Sequence, residues 1–273
     1  MSQTASFASR WAGCAQRLVI AAMVMMLAAA CVTPPGQQAG GGDTTLSDPL
    51  EGMNRHIFAF NEAADTILIR PAVYIYREAT PRPLKGILSN FLGNLTLPLT
   101  IVHDLLQGKP DHAQIAFGRL VINTFVGVGG MFDIATPAGL PMHSEDMGQT
   151  LAVHGTGPGF YLVLPILGPS SGRDAIGTLV DSLADPVTIA TYGAGAGSTL
   201  RLSRTIASGV VKREQLIEPL DTLRKSLDFY ATVRAAYRQR RAMEIRDGEP
   251  KQADSESDPF ATFDESDKAK PAG

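Results

Sequence analysis

One segment of the chain has the spacing of a catalytic motif. Gly168-Pro169-Ser170-Ser171-Gly172 fits G-x-S-x-G, the strand-to-helix turn that presents a nucleophilic serine in α/β-hydrolases. That serine needs an acid and then a histidine further along the chain to take its proton. The five histidines are His56, His103, His112, His143 and His154, and all precede Ser170. Pro169 and the flanking helical patterns also suit such a turn badly, so Ser170 reads as a turn residue and no catalytic residue is assigned. Asp174, Asp181 and Asp185 are spaced by seven and four, which puts them on one helical face. Paired carboxylates can do acid–base work, but three acids on one face read first as a side turned to water. There is no H-E-x-x-H and no cysteine pair, so no metal ligands are assigned and no structural zinc is expected. The clusters Gly127/Gly129/Gly130 and Gly155/Gly157/Gly159 lack G-x-G-x-x-G spacing, and no G-x-x-x-x-G-K-[ST] occurs. The sequence therefore implies no nucleotide, no cofactor and no energy source of its own.

The other chemically special residue is Cys31. Arg10 and Arg17 precede a charge-free apolar run of 13 residues, Leu18 to Ala30. That is short of the roughly 20 residues a membrane-spanning helix needs, and residues 1–30 read as a signal peptide. Leu27-Ala28-Ala29-Ala30-Cys31 resembles a bacterial lipobox, in which the cysteine is diacylated and becomes the first residue. Ala28 stands where leucine is usual, with Leu27 one position further off. Cys31 is therefore the expected lipid attachment site. Residues 31–47, rich in Pro, Gly and Gln, read as a flexible tether. Cleavage would remove Cys14 and Trp11, leaving no possible internal disulfide.

The elements that follow are helical. Asp48-Pro49-Leu50-Glu51 predicts a helix start, with Asp48 as cap and Pro49 in the first turn. Arg70-Pro71 predicts its end. Leu84 to Leu95 predict a second helix, which Pro98 breaks before Ile101 to Leu106. Gly108 stops that piece, and a third helix is expected from Asp111 to about Phe125. Phe160 to Leu167 reads as a strand, interrupted by Pro165. Gly193 to Gly197 read as a linker. Helix returns from Leu202 to Glu244 with a break at Pro219 and an apolar stripe of Leu227, Tyr230, Val233 and Tyr237. Its basic end at Arg238, Arg240 and Arg241 is short and answered by Glu244 and Asp247, so no nucleic acid partner is expected. Residues 48–247 make one helical domain, and 248–273 a disordered acidic tail.

Charge is unevenly spread. The chain has 273 residues, 44% hydrophobic and 19% charged, with a net charge of −3. Only seven formal charges occur in the 87 residues from Gly86 to Gly172, against 27 in the 73 residues from Arg201 onward. Within the first region two stretches carry no formal charge at all, 18 residues after Lys85 and 26 after Asp146. Glycines and prolines interrupt both, so neither forms a spanning helix. A buried core and a set of short helices lying in one leaflet both fit.

Several ordered stretches together resemble one family, the MlaA/VacJ phospholipid-transport lipoproteins of Gram-negative outer membranes. The residues that carry the resemblance begin with Asp48-Pro49-Leu50-Glu51-Gly52-Met53-Asn54-Arg55, Phe58, Phe60 and Asn61. Asn94-Leu95 with Pro98 and Leu105-Leu106-Gln107-Gly108 follow, then Arg119, Asn123-Thr124, Gly127, Gly129-Gly130 and Phe132-Asp133. The stretch Glu145 to Leu151 comes next, followed by Gly155, Gly157-Pro158, Tyr161, Pro165, Gly168 and Arg173-Asp174. Ser226-Leu227-Asp228 and Gln239-Arg240-Arg241 complete the match. Met53 and Met147 stand where the family has phenylalanine, and Phe229 where it has proline. The resemblance implies a mostly α, ring-like assembly of short, kinked amphipathic helices around an amphipathic channel, seated in the inner leaflet of the outer membrane. It implies removal of phospholipid mislocalised to the outer leaflet, transfer to a periplasmic lipid carrier, partnership with a trimeric porin, and no enzymatic activity. Gly155 and Gly157 then fit either a hinge near the channel or plain turns. A structural or adhesive surface lipoprotein and a lipid-cleaving enzyme are the rival readings.

Overall fold

The structure, a computed structural model, describes residues 47–192 and 197–248. The signal segment, Cys31, most of the glycine linker and the acidic tail lie outside the described residues. Those described form eleven α-helices and one two-stranded hairpin. The helical character is as expected, but the stretch 160–167 is not one strand: the first strand ends at Leu164, and residues 165–167 turn the chain into a second strand at Gly168–Ser171.

The first helix, α1, runs Glu51–Ala64 and passes through a π turn, Asp65–Ile69, straight into α2, Arg70–Ala79. Pro71 does not end the helix as expected. A proline inside a regular α-helix clashes with the carbonyl four residues back, and the wider π turn just before it relaxes that geometry. Pro49 and Asp48 also differ from expectation. Leu50 is the N-cap residue and no side chain caps α1. Asp48 instead accepts hydrogen bonds from Asn54 Nδ2 (2.8 Å), Arg234 Nη1 (2.8 Å) and the Tyr230 hydroxyl.

Helices α3 (Arg82–Asn94) and α4 (Leu97–Leu106) are separated at Leu95–Thr96, with Pro98 in the first turn of α4. Gly108 adopts φ +73° and turns the chain into α5, Pro110–Phe125. After a long loop come α6 (Met147–Val153), the hairpin β1 (Tyr161–Leu164) and β2 (Gly168–Ser171), α7 (Gly172–Ala184) and α8 (Pro186–Ala190). The strands are antiparallel, pairing Tyr161 with Ser171 and Leu164 with Gly168.

The C-terminal helices are α9 (Gly197–Gln215), α10 (Ile217–Leu223) and α11 (Phe229–Ile245). Their breaks fall at Leu216 and at Arg224–Asp228, and not at Pro219. That proline sits in the first turn of α10, where a missing N–H costs little. In the expected apolar stripe, Tyr230 and Val233 are buried and Tyr237 packs beside them, but Leu227 is fully exposed at 111%. Asp228 directly after it caps α11 by accepting from Ala231 N (3.0 Å), which leaves Leu227 in the connecting loop.

An apolar core cluster joins β1, α1 and α11. Tyr161, Val163 and Tyr230 are buried there, against Ile57, Phe58 and Tyr237. Their rings meet edge to face, Tyr161–Tyr237 at 6.0 Å and Phe58–Tyr230 at 5.5 Å, the arrangement aromatic quadrupoles favour. No helix among the described residues is long and apolar enough to cross a membrane.

Candidate functional site

The distribution of side chains is inverted. Among the described residues, 12 hydrophobic residues are buried, against 15 polar or charged ones, while 32 large hydrophobics are exposed. Apolar surface in water normally seeks burial, so a surface of this kind calls for an apolar partner. Two strained tips each display part of it.

The first tip closes α5. Asn123 holds the returning chain from below. Its Oδ1 accepts from Ile134 N (2.9 Å) and Ala135 N (3.0 Å), and its Nδ2 donates to Asp133 (3.2 Å). Between these anchors Val128, Gly129 and Gly130 are all left-handed, at φ +54°, +71° and +87°. For a β-branched valine this is a true outlier, the sort of local strain that gathers at functional sites. Gly130 is obligatory, since a Cβ there would lie 2.4 Å from the Asn94 side chain. The turn displays Phe125 (81% exposed), Val126, Val128, Met131 and Phe132. Beneath it lies a polar platform in which buried Arg119 contacts Asp133 (3.2 Å) and Thr136 (2.9 Å). Burial pushes the Asp133 carboxyl up, but hydrogen bonds from Thr136, Asn123 and Arg119 outweigh it and bring the pKa down to about 2.

The second tip is the hairpin end. Asn54 and Asn61, two helical turns apart on α1, present their amides to the backbone of β1. Asn54 donates to Tyr161 O (3.0 Å) and accepts from Val163 N (2.9 Å). Asn61 donates to Leu164 O (2.9 Å) and accepts from Ile166 N (2.7 Å). Each carboxamide pairs as a neighbouring strand would, which satisfies a strand edge that must otherwise find a partner. Ile166 is left-handed (φ +66°) and exposed, as is Leu167.

A charged hub joins α6, α7 and α11. Arg241 Nη2 contacts Asp146 (2.6 Å) and Asp174 (3.1 Å), and Nη1 contacts Glu244 (3.1 Å). Burial alone would raise the Asp146 and Asp174 pKa values, but bonds from Arg241, and from Tyr237 at Asp174, hold both carboxyls below the usual range. Gly148 admits this hub, because a Cβ there would lie 2.5 Å from both the Arg241 guanidinium and the Asp174 carboxylate.

Residues 46–244 match the MlaA lipoprotein family. The chain is 35% identical over 209 residues to the intermembrane phospholipid transport system lipoprotein MlaA of Escherichia coli, covering 75% of this chain and 81% of that one. A Rickettsia bellii protein is 37% identical over 201 residues, covering 73% of this chain and 77% of its own. A chain solved in a study of the structural basis for maintenance of bacterial outer membrane lipid asymmetry superposes with a TM-score of 0.64 at 34% identity. That overlap covers 73% of this chain and 99% of the other. The chain belongs to the MlaA lipoprotein family.

The structure gives the family-matching residues their work. Asn54 and Asn61 clip the hairpin, Arg119, Asn123 and Asp133 support the first tip, and Arg241 and Asp174 form the hub. The three aspartates do not share a wet face, contrary to expectation. Asp174 is buried against Arg241 and Tyr237, Asp181 accepts from Met147 N (3.0 Å) and meets His103 Nε2 (3.0 Å), and Asp185 pairs with Arg204 and caps α8. Burial would raise the Asp185 pKa, but Arg204 and Thr188 lower it on balance. Ser170 lies within β2, and β2 does run directly into α7, closer to an elbow than its neighbours suggested. Its hydroxyl is buried and donates to Ser171 O (3.3 Å).

Sequence reasoning missed a hydroxyl–imidazole–carboxylate chain, Thr150 Oγ1 to His103 Nδ1 (3.0 Å) and His103 Nε2 to Asp181 (3.0 Å). Thr150 is buried and already accepts from Gln107 (3.2 Å), so the chain ties α4, α6 and α7 together and shows no face to a substrate. Gly155, at φ +85°, ends α6. Gly155 N donates to Ala152 O (2.9 Å) and Thr156 N to Leu151 O (2.9 Å), the Schellman pattern. Gly157 is not left-handed, and an added Cβ at either glycine meets nothing within 4 Å.

Proposed function

We propose that the protein is a phospholipid-transport lipoprotein of the outer membrane, seated on its periplasmic side and anchored through acylated Cys31. It takes phospholipids from the outer leaflet through an amphipathic channel within a ring of helices. It hands them to a periplasmic carrier, beside a trimeric porin, and performs no catalysis. The inverted side-chain distribution carries this reading. A phospholipid in transit needs a polar route for its head and an apolar phase for its tails, and short broken helices with polar interiors and apolar exteriors offer both. The Escherichia coli relative named above carries phospholipid transport in its name, which supports the same conclusion. The segment at Gly155 and Gly157 serves as a hinge, supported by the left-handed angles of Gly155 and Gly159 and by the open space around Gly155 and Gly157.

The test is expression of the full chain in a Gram-negative strain deleted for its own MlaA-type lipoprotein, with outer-leaflet phospholipid read by accessibility to an added phospholipase. The full chain should lower exposed phospholipid, Cys31→Ala should not, and Ser170→Ala should act like the parent. Unchanged lipid with the protein correctly in the outer membrane overturns the transport reading and favours a structural surface lipoprotein.

A further inference from the structure

We propose that Asp104, His112 and His143 form a site for a divalent transition-metal ion of the zinc type. Asp104 lies in the last turn of α4 and His112 in the first turn of α5. The tight turn through left-handed Gly108, closed by Lys109 N donating to Asp104 O (2.9 Å), folds the two side by side. His143 arrives from the long loop after α5, 39 residues beyond Asp104, and its Nε2 lies 2.9 Å from Asp104 Oδ2. The two imidazoles are tilted by 55° with centroids 5.2 Å apart, and ligand atoms of all three residues lie within 4.8 Å of one another.

Two atoms point to a ligand. Asp104 is wholly buried, yet among the described residues its Oδ1 has no hydrogen-bond partner, and the buried Nδ1 of His112 has none either. A buried carboxylate and imidazole with unused lone pairs are costly to keep, and one cation answers both. Two imidazoles and one carboxylate form a borderline donor set that suits zinc with a fourth position open. Magnesium and calcium prefer oxygen alone. A second triad, His112, Glu145 and Asp247, also gathers within 4.8 Å. Lys109 already neutralises it, contacting Asp247 at 2.6 Å and Glu145 at 3.8 Å, so a cation is directed to Asp104 and His143.

Bound there, the ion would clamp the long loop to the α4–α5 turn. That loop already presses Leu140 toward Gly118 and Met142 toward Gly93, where a Cβ would meet them at 3.1 and 3.3 Å. Three ligands from two helix ends and a loop explain why sequence spacing gave no zinc signature.

The test uses full-length protein in detergent, stripped with chelator and dialysed. Titration with zinc chloride against a chromophoric competitor should show one zinc per chain, while magnesium chloride shows none. His112→Asn and His143→Asn should each weaken zinc binding by at least about tenfold, and zinc should raise the melting temperature of the parent but not of either variant. X-ray absorption of the zinc-loaded parent should show imidazole ligands, which decides the matter even if a variant fails to fold. No stoichiometric zinc, equal affinity in both folded variants, or a coordination shell without imidazole overturns the proposal. In that case Asp104 and His143 are an ordinary hydrogen-bonded pair.

Discussion

The two exposed tips use one device at two scales. Each sets a β-branched residue at positive φ, Val128 in one and Ile166 in the other, with a left-handed glycine close behind. Each is held from below by an asparagine carboxamide that bonds to backbone, Asn123 and Asn61. The glycine turn displays five large apolar side chains and stands on the Arg119–Asp133 platform, whereas the hairpin end displays two and has only Asn61 behind it. Neutral carboxamides satisfy backbone amides beside the strained turns without bringing charge to an apolar surface, where charge is costly. The larger tip needs more support, and its ionic platform sits below the strained turn, where protein surrounds it.

The comparison can be broken most forcefully from below. Arg119→Ala should lose about 3 kcal/mol in urea unfolding, since it removes the only cation paired with Asp133 among the described residues and unties Thr136 and Leu140. Asn61→Ala should lose about 2 kcal/mol, from two modest hydrogen bonds. Equal losses would mean the tips are supported alike.

Within the first tip, Gly130→Ala should cost about 3 kcal/mol, from backbone strain plus overlap with Asn94. Gly129→Ala has open space and should cost about 1 kcal/mol, from φ alone. Similar melting temperatures for the two variants would show that Asn94 yields.

Acid should separate the tips with a smaller effect. The Asp133 carboxyl is depressed, so its contribution is complete above the ordinary value of 3.8 and is lost as pH falls through about 2. Hydrogen exchange should therefore quicken at residues 119–136 over that window before it does at 161–171, whose clips carry no titratable group. Simultaneous loss would place the acid weakness elsewhere, with the Arg241 hub the first suspect.

Smallest of all is release of the strain itself. Val128→Gly and Ile166→Gly each gain about 1 kcal/mol from a relaxed φ and lose about as much to chain entropy. Stability should stay within about 0.5 kcal/mol, while liposome flotation should fall further for Leu167→Ser than for either. A large stability gain would mean the left-handed angles are costlier than local sterics require.

Much of the helix pattern was legible because caps and breakers act locally. Pro98, Gly108 and the glycines after Phe125 punctuate the chain where their chemistry requires. The helices' partners were not legible. Asp174 reads as a wet residue at helical spacing because its guanidinium partner Arg241 is 67 residues away. Asp48 reads as a cap because Arg234, at a separation of 186, cannot be seen from it. The strained tips escaped for another reason. No residue-type preference announces a valine or an isoleucine at positive φ, since only the anchors on either side impose it. The asparagines were visible as matching residues, but their role as strand mimics needed the hairpin in place.

The π turn at Asp65–Ile69 has a consequence for how α1 and α2 can differ. Each residue of an α-helix advances the face by about 100°, so one extra residue in a turn rotates everything beyond it by about that much. The side of α1 that grips the hairpin with Asn54 and Asn61 is thus not continued along α2. In and past the turn the rod exposes Ile67, Leu68 and Ile75, while Asp65 within the turn and Arg70 just past it face α9 and α10 through Arg213, Asp221 and, at the end of α10, Arg224. A single unbroken rod can therefore serve two neighbours and an apolar exterior without a loop between them. Removing one residue from the turn would leave the helix intact and point half of it the wrong way.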